Sequence, residues 1–145
     1  MRIVIDLQGA QTESRFRGIG RYSLSLAKAI ARNAGEHEIW LALNGAFGES
    51  VLSLRDEFRD LIPQERIRVF EVPLPVAEHD PANSNRARVA EIIREYFLEQ
   101  LNPDVVLLTS LFEGFLDDAV TSVGRFAKSY KTATILYDLI PYMDE

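Results

Sequence analysis

The chain has 145 residues, of which 47% are hydrophobic and 26% are charged, so it is long enough and apolar enough to fold as one domain with a hydrophobic core. The 22 acidic residues outnumber the 16 basic ones, and the formal net charge of -6 argues against a broad electrostatic contact with nucleic acid. There are no cysteines, which excludes disulfides, thiolate metal sites and a cysteine nucleophile.

No targeting or membrane segment is visible in the sequence. The chain enters a strand at its first residues, without the basic and apolar segments of a signal peptide. No apolar run approaches the roughly 20 residues that a membrane-spanning helix needs. We therefore expect a cytoplasmic protein without a membrane span, whose contact with a membrane, if it has one, is peripheral.

Five short segments rich in apolar and β-branched residues are predicted to be strands. Two of them end at turn residues, the second at Asn44 and the third before Pro73. The run at 104–109 is almost continuously apolar, as expected of a strand that is covered on both faces. The predicted strands are residues 1–7, 38–44, 66–72, 104–109 and 132–137.

Four segments between these strands are predicted to be helices. Ser84 or Asn85 can cap the third helix, whose strong apolar stripe is predicted to face the core. The predicted helices are residues 23–33, 51–62, 84–101 and 117–126. The stripe consists of Val89, Ile92, Ile93, Tyr96, Phe97 and Leu101.

Strands that alternate with helices predict a single α/β domain over residues 1–145, with a Rossmann-like parallel sheet and helices on both faces. In such sheets the ligand lies beyond the carboxyl ends of the strands. Residues 18–21, 110–115 and 137–141 would gather at that edge.

The entry to the first helix, Arg17-Gly18-Ile19-Gly20-Arg21-Tyr22, is the strongest local signal. Its glycines would let the backbone approach a ligand, and the helix N-terminus favours an anionic or polyhydroxylated one. The alternative is that the glycines only shape a turn. A dinucleotide site is disfavoured because Ser23 stands where that motif has its third glycine, and because the second strand ends in Asn44, where a carboxylate is wanted.

Several motifs follow one another in a fixed order: a strand ending in Asp6, the helix entry at 18–22, residues 102–106 (Asn-Pro-Asp-Val-Val), residues 110–115 (Ser-Leu-Phe-Glu-Gly-Phe) and residues 137–141 (Tyr-Asp-Leu-Ile-Pro). Together they resemble the N-terminal half of a family 4 retaining glycosyltransferase of the GT-B type. Within that family the chain looks most like bacterial mannosyltransferases that build the O-antigen chains of lipopolysaccharide. The resemblance covers essentially the whole chain, and the order of the motifs carries it.

The resemblance implies a two-domain enzyme in which this half is the acceptor-binding domain. A second, donor-binding C-terminal domain, absent from this chain, would bind the nucleotide sugar, so this fragment alone is expected to be inactive. The implied reaction is mannosyl transfer from GDP-mannose to a saccharide acceptor, lipid-linked or free, at the inner face of the cytoplasmic membrane. No metal or other cofactor is expected.

The resemblance also implies substrate-binding residues. The N–H groups of Gly18, Ile19 and Gly20 would face the donor diphosphate or the acceptor, with Arg21 nearby as a charge partner. Glu113 would line the acceptor side of the cleft.

Tyr137 and Asp138 are the catalytic residues that the resemblance implies. They would take the place of the family's His-Asp pair near the transferred sugar, although many members have histidine where this chain has Tyr137. The non-enzymatic alternative is a stand-alone Rossmann-like or flavodoxin-like module that binds a nucleotide, an anion or a protein partner.

Overall fold

The computed structural model describes residues 1–137, which form a five-stranded parallel sheet with the strand order β3-β2-β1-β4-β5. The predicted α/β, Rossmann-like fold is confirmed. The second strand has its predicted bounds, the other four are shorter than predicted, and the fifth begins one residue before its predicted start. The strands are β1 (Arg2–Asp6), β2 (Glu38–Asn44), β3 (Ile67–Phe70), β4 (Val105–Leu108) and β5 (Lys131–Thr134).

Helices cover both faces of the sheet, as predicted. They are α1 (Gly18–Arg32), α2 (Gly48–Glu57) and α3 (Ser84–Gln100). Neighbouring residues of β1 point to opposite faces, so that Ile5 packs in the core beneath α1 and α2 while Val4 packs with Leu98 beneath α3. Among the described residues, no helix is both long and apolar enough to cross a membrane.

The loop after β1 differs from its prediction. The helix that was expected from residue 23 starts at Gly18, and the residues before it form two 3-10 turns, Gln8–Ala10 and Glu13–Phe16. The predicted boundary was wrong because glycine normally disfavours a helix interior, whereas Gly20 is buried here against the second turn.

Helix α3 buries two charged residues in place of most of its predicted apolar stripe. Arg94 and Glu95 are both 0% exposed, between Ala90 and Leu98 on the buried side of the helix. The prediction was wrong for four stripe residues, which are 36–61% exposed: Val89, Ile92, Ile93 and Tyr96. The cause is that the Asp6 carboxylate at the end of β1 and backbone N–H groups of residues 125–127 require partners, which Arg94 and Glu95 supply.

Residues 109–130, which we call the crossover segment, join β4 to β5 without a helix. The helix predicted over 117–126 was therefore wrong. Gly114 and Gly124 adopt φ values of +97° and +57°, outside the right-handed helical region. Side chains from elsewhere in the fold bind the backbone of this segment and replace the hydrogen bonds of a helix.

Candidate functional site

The carboxyl ends of β1 and β4 meet near the middle of the sheet. The chain leaves β1 towards β2 and leaves β4 towards β5, in opposite directions, so this junction is the switch point at which open α/β sheets bind ligands. Thr109 ties the two strand ends together, since its N–H and its Oγ1 donate to Asp6 O at 3.2 and 2.8 Å. The loop after β1 and the start of the crossover segment converge here.

Glu113 is the centre of a hydrogen-bond cluster at this junction. Its carboxylate is 9% exposed and accepts hydrogen bonds from three hydroxyl groups. Thr12 Oγ1 and Ser14 Oγ donate to Oε2 at 2.7 and 3.2 Å, and Ser110 Oγ donates to Oε1 at 3.1 Å. We call these four residues the Glu113 cluster. It binds the crossover segment to the loop after β1.

Tyr137 reaches the same region from the residues after β5. Its hydroxyl donates to Thr109 O at 2.9 Å and lies 2.9 Å from Ser23 Oγ. Its ring meets Tyr22 edge to face, with centroids 5.6 Å apart. Burial raises the pKa of Tyr137 above its usual value; the Ser23 hydrogen bond opposes this, and Tyr22 and Glu113 add to it. The hydroxyl is therefore neutral near pH 7 and is bound to groups of its own domain.

The other predicted site residues differ in their accessibility. Gly18 and Arg21 are exposed at the start of α1, and Ile19 is half-buried beside them. No side chain caps this helix, and the N–H groups of a first helical turn have no acceptor within the helix. Asp138 lies outside the described residues.

Gly20 is a packing residue. A Cβ at this position would lie 2.7 Å from Arg15 N and closer still to Ser14 O, whereas a Cβ at Gly18 would meet nothing within 4 Å. The close approach that the sequence suggested for Gly20 is therefore to the backbone of the preceding turn. At Gly18 the space is open.

Two buried glutamines after β1 were not predicted as site residues. The Gln8 amide donates to Val120 O at 2.8 Å and accepts from Val120 N at 2.9 Å. The Gln11 amide does the same with Asn44, at 3.1 and 2.7 Å. Each side-chain amide thus binds both the N–H and the C=O of one residue, in the way that a residue of a neighbouring β-strand does. The available signal was a Gln-x-x-Gln sequence shortly after a strand that ends in a carboxylate.

An open cleft of about 340 Å³ lies beside the Glu113 cluster, between the loops after β1 and β2 and the crossover segment. Its walls combine apolar and polar surface, and among its charged groups the carboxylates outnumber the one guanidinium. Its charged lining residues are Glu13, Arg15, Glu49, Asp117 and Asp118. Such groups can accept hydrogen bonds from ligand hydroxyls. Within residues 1–137 no group of three or more His, Asp or Glu side chains could hold a metal ion.

Comparison with known proteins finds several relatives of this chain. No family model matches it. Serotype-specific mannosyltransferase WbdA of Escherichia coli is 34% identical over 146 residues, which are 100% of this chain and 17% of that protein. The chain is homologous to bacterial mannosyltransferases. Two further Escherichia coli proteins of the same name are 30% and 29% identical over 121 residues, 83% of this chain and 15% of each relative.

This mannosyltransferase homologue thus spans about a sixth of the length of the curated relatives it matches. The resemblance stated from its motifs is confirmed, and the Rossmann-like sheet agrees with it. The structure brings Glu113 and Tyr137 to the same strand junction, with α1 beginning beside them. The roles that the resemblance implied for individual residues stay predictions.

Proposed function

We propose that this chain is the acceptor-binding domain of a retaining mannosyltransferase that transfers mannose from GDP-mannose to a growing polysaccharide such as lipopolysaccharide O-antigen. The observation that carries the proposal is the 34% identity to WbdA over the whole chain. The cleft beside the Glu113 cluster supports it, because its mixed apolar and charged lining offers a saccharide acceptor several hydrogen-bonding groups in a concave site.

In this proposal a second domain of the same protein binds the nucleotide sugar, and transfer takes place in the cleft between the two domains. A departing diphosphate needs electrostatic stabilisation, and water has to be excluded from the reacting sugar. Closure of two domains over a cleft can provide both. No metal or other cofactor takes part.

The start of α1 is the part of this chain best suited to a phosphate or a hydroxyl group. The N–H groups of Gly18 and Ile19 in the first turn, which have no acceptor within the helix, and the positive end of the helix dipole favour an anion, and the guanidinium of Arg21 adds a full charge. Tyr137 and Asp138 are proposed to lie next to the transferred sugar. Since the Tyr137 hydroxyl is bound within the domain, its ring is the part that would contact the sugar.

The proposal is tested by a transfer assay on the protein at its natural length. With GDP-mannose and a mannose-terminated oligosaccharide primer, we expect the product to gain one hexose by mass spectrometry. NMR of its anomeric proton should show the configuration of the donor, and a chelator should leave the rate unchanged. Absence of transfer from GDP-mannose and from a panel of other nucleotide sugars would overturn the proposal.

Arg21→Ala tests the proposed substrate contact within that assay, with Arg32→Ala as its matched control. Both arginines are exposed on α1, at opposite ends of the helix. We expect Arg21→Ala to raise a substrate KM and Arg32→Ala to leave both KM values unchanged. Equal effects of the two substitutions would remove Arg21 from the site.

Residues 1–145 alone are expected to be inactive in the same assay, because the donor site lies in the second domain. We propose that the full protein works in the cytoplasm at the inner face of the cytoplasmic membrane, which cell fractionation can test. Ligand binding by residues 1–145 together with no transfer by the longer protein would favour the stand-alone binding module instead.

A further inference from the structure

The crossover segment carries Glu113 to the site without help from regular secondary structure. Between β4 and β5 its backbone is bound by side chains of other elements, and the N–H groups of Glu78 and His79 donate to Gly114 O and Phe115 O. The segment therefore needs fixed attachment points if Glu113 is to keep one position relative to the loop after β1. The first attachment beyond the turn that follows Glu113 is at Val120.

Gln8 makes that attachment. Its amide binds both backbone groups of Val120, and its Oε1 also accepts from Asn44 Nδ2 at 2.9 Å. Its Nε2 donates to the Asp6 carboxylate at 3.0 Å as well. At 2% exposure the side chain has no room to move, so it holds Val120 at the end of β1. Asn44 adds a second tie, from Nδ2 to Asp118 O at 3.0 Å.

A short, tight turn connects Val120 to Glu113. Asp117 Oδ1 accepts from Gly114 N at 3.0 Å and from Ala119 N at 2.9 Å, which closes the chain over these residues. A Cβ at Gly114 would lie 2.8 Å from Ala119 O, so the two ends of the turn are in direct contact. A displacement at Val120 would therefore be passed to Glu113 through a compact unit.

We infer that Gln8 is a positioning residue: by binding the backbone of Val120, it fixes Glu113 against Thr12 and Ser14 and so sets the shape of the acceptor side of the site. This inference rests on the proposed function for its kinetic consequence. Gln11 has the same chemistry three residues further on, but it binds Asn44 at the end of β2 and not the crossover segment.

Amide hydrogen exchange tests the structural part of the inference in the protein at its natural length. Gln8→Met removes both bonds to Val120, and peptides within residues 110–121 should exchange on the order of tenfold faster, as expected when a buried backbone pair loses its partners. Gln11→Met should accelerate exchange chiefly at the end of β2 and change these peptides less, because its only link to them runs through Asn44. If Gln8→Met accelerates exchange equally throughout the domain, or leaves residues 110–121 unchanged, the inference is wrong.

Gln8→Asn is the milder variant if Gln8→Met does not fold. It keeps the amide but shortens the side chain by one methylene group, so the two bonds to Val120 cannot both be kept. The same selective acceleration over residues 110–121 is expected. Uniform or absent acceleration in this variant would again contradict the positioning role.

The kinetic part uses GDP-mannose and the mannose-terminated primer. The Gln8 variant should raise the KM for the primer several-fold while the KM for GDP-mannose changes little. Ile62→Ala, which destabilises the core beneath α1 and α2, serves as the stability control and should not separate the two KM values. An unchanged primer KM, or the same split in Ile62→Ala, would overturn the positioning role. If the wild-type protein transfers no mannose, the proposed function fails, while the exchange result still supports or overturns the fixation of Glu113.

Discussion

At the scale of single residues, the two glycines of the helix-entry motif have different tasks. Gly20 is buried where the first turn of α1 crosses the backbone of Ser14 and Arg15, and no side chain fits there. Gly18 stands two residues earlier on the exposed side, with open space around it. Close packing thus accounts for Gly20, and access to a ligand remains a proposal for Gly18.

Gly20→Ala should lower the free energy of unfolding by about 1–3 kcal/mol, because the added methyl group collides with rigid backbone atoms. Gly18→Ala is the matched control and should change stability by less than about 0.5 kcal/mol, as is usual at exposed positions. Urea denaturation followed by circular dichroism measures both. Similar losses in the two variants would show that the packing argument is wrong.

At the scale of elements, α3 holds the far part of the crossover segment through its buried carboxylate. Glu95 accepts backbone N–H groups of Arg125, Phe126 and Ala127 at 3.1, 2.7 and 2.8 Å. Burial by itself raises the pKa of Glu95, but these backbone hydrogen bonds and the nearby Ser122 hydroxyl outweigh it, so the pKa lies below the ordinary value of 4.5. The charged form of Glu95 is therefore the one that the folded state favours.

The attachment at Glu95 should weaken in acid. Since its pKa is lowered on folding, its contribution to stability is complete above the ordinary carboxyl pKa of 4.5 and is lost as the pH falls through the lower folded value. We expect the exchange protection of the amides of 125–127, corrected for the intrinsic effect of pH, to decrease over that range.

Glu95→Gln is the control for this pH dependence. The glutamine amide cannot ionise. Its NH₂ group would face backbone N–H groups, which are also donors, so protection of residues 125–127 should be low at every pH. Glu91→Gln removes only the exposed pair with Arg125 and should keep the wild-type pH profile. A wild-type profile in Glu95→Gln would rule out Glu95 as the titrating group.

The fold was largely predictable because the spacing of apolar residues that marks strands and helices is a local property of the sequence. The five strands, the first three helices and the parallel sheet all follow from such periods. The crossover segment was not predictable in this way, because its conformation depends on Gln8 and Glu95, which are distant in sequence. The same holds for Arg94, which occupies a core position of α3 at four-residue steps from Ala90 and Leu98 and is buried only because Asp6 lies opposite.

The candidate site was predicted in part, for the same reason. Glu113 and Tyr137 follow strands whose carboxyl ends are adjacent, so topology alone brings them together. The partners that hold them, such as Thr12 and Ser23, come from a loop and a helix whose boundaries the sequence left uncertain. Hydroxyl side chains are common in loops, and spacing alone does not show which of them will meet a buried carboxylate.

At the scale of the whole molecule, a buried ion pair connects the α3 layer to the carboxyl edge of the sheet. Arg94 is 0% exposed and binds the Asp6 carboxylate through two of its nitrogens, and its third bond is to Ser122 O at 2.8 Å. Asp6 also accepts from the backbone and side chain of Gln8, at 3.0–3.2 Å. The helix layer, the central strand and the crossover segment thus meet at one pair of charges.

Breaking this pair from one side should be costly, because the remaining charge stays buried. We expect Arg94→Met to lower the free energy of unfolding by about 3–5 kcal/mol. Asp6→Asn combined with Arg94→Met should cost clearly less than the sum of the two single substitutions, since no unpaired charge is left. The exposed pair of Arg59 and Asp56, with side chains 70% and 69% exposed, is the control and should show coupling below about 1 kcal/mol. Denaturant unfolding of both double-mutant cycles measures these couplings, and strictly additive losses at Asp6 and Arg94 would show that the pair does not link the layers.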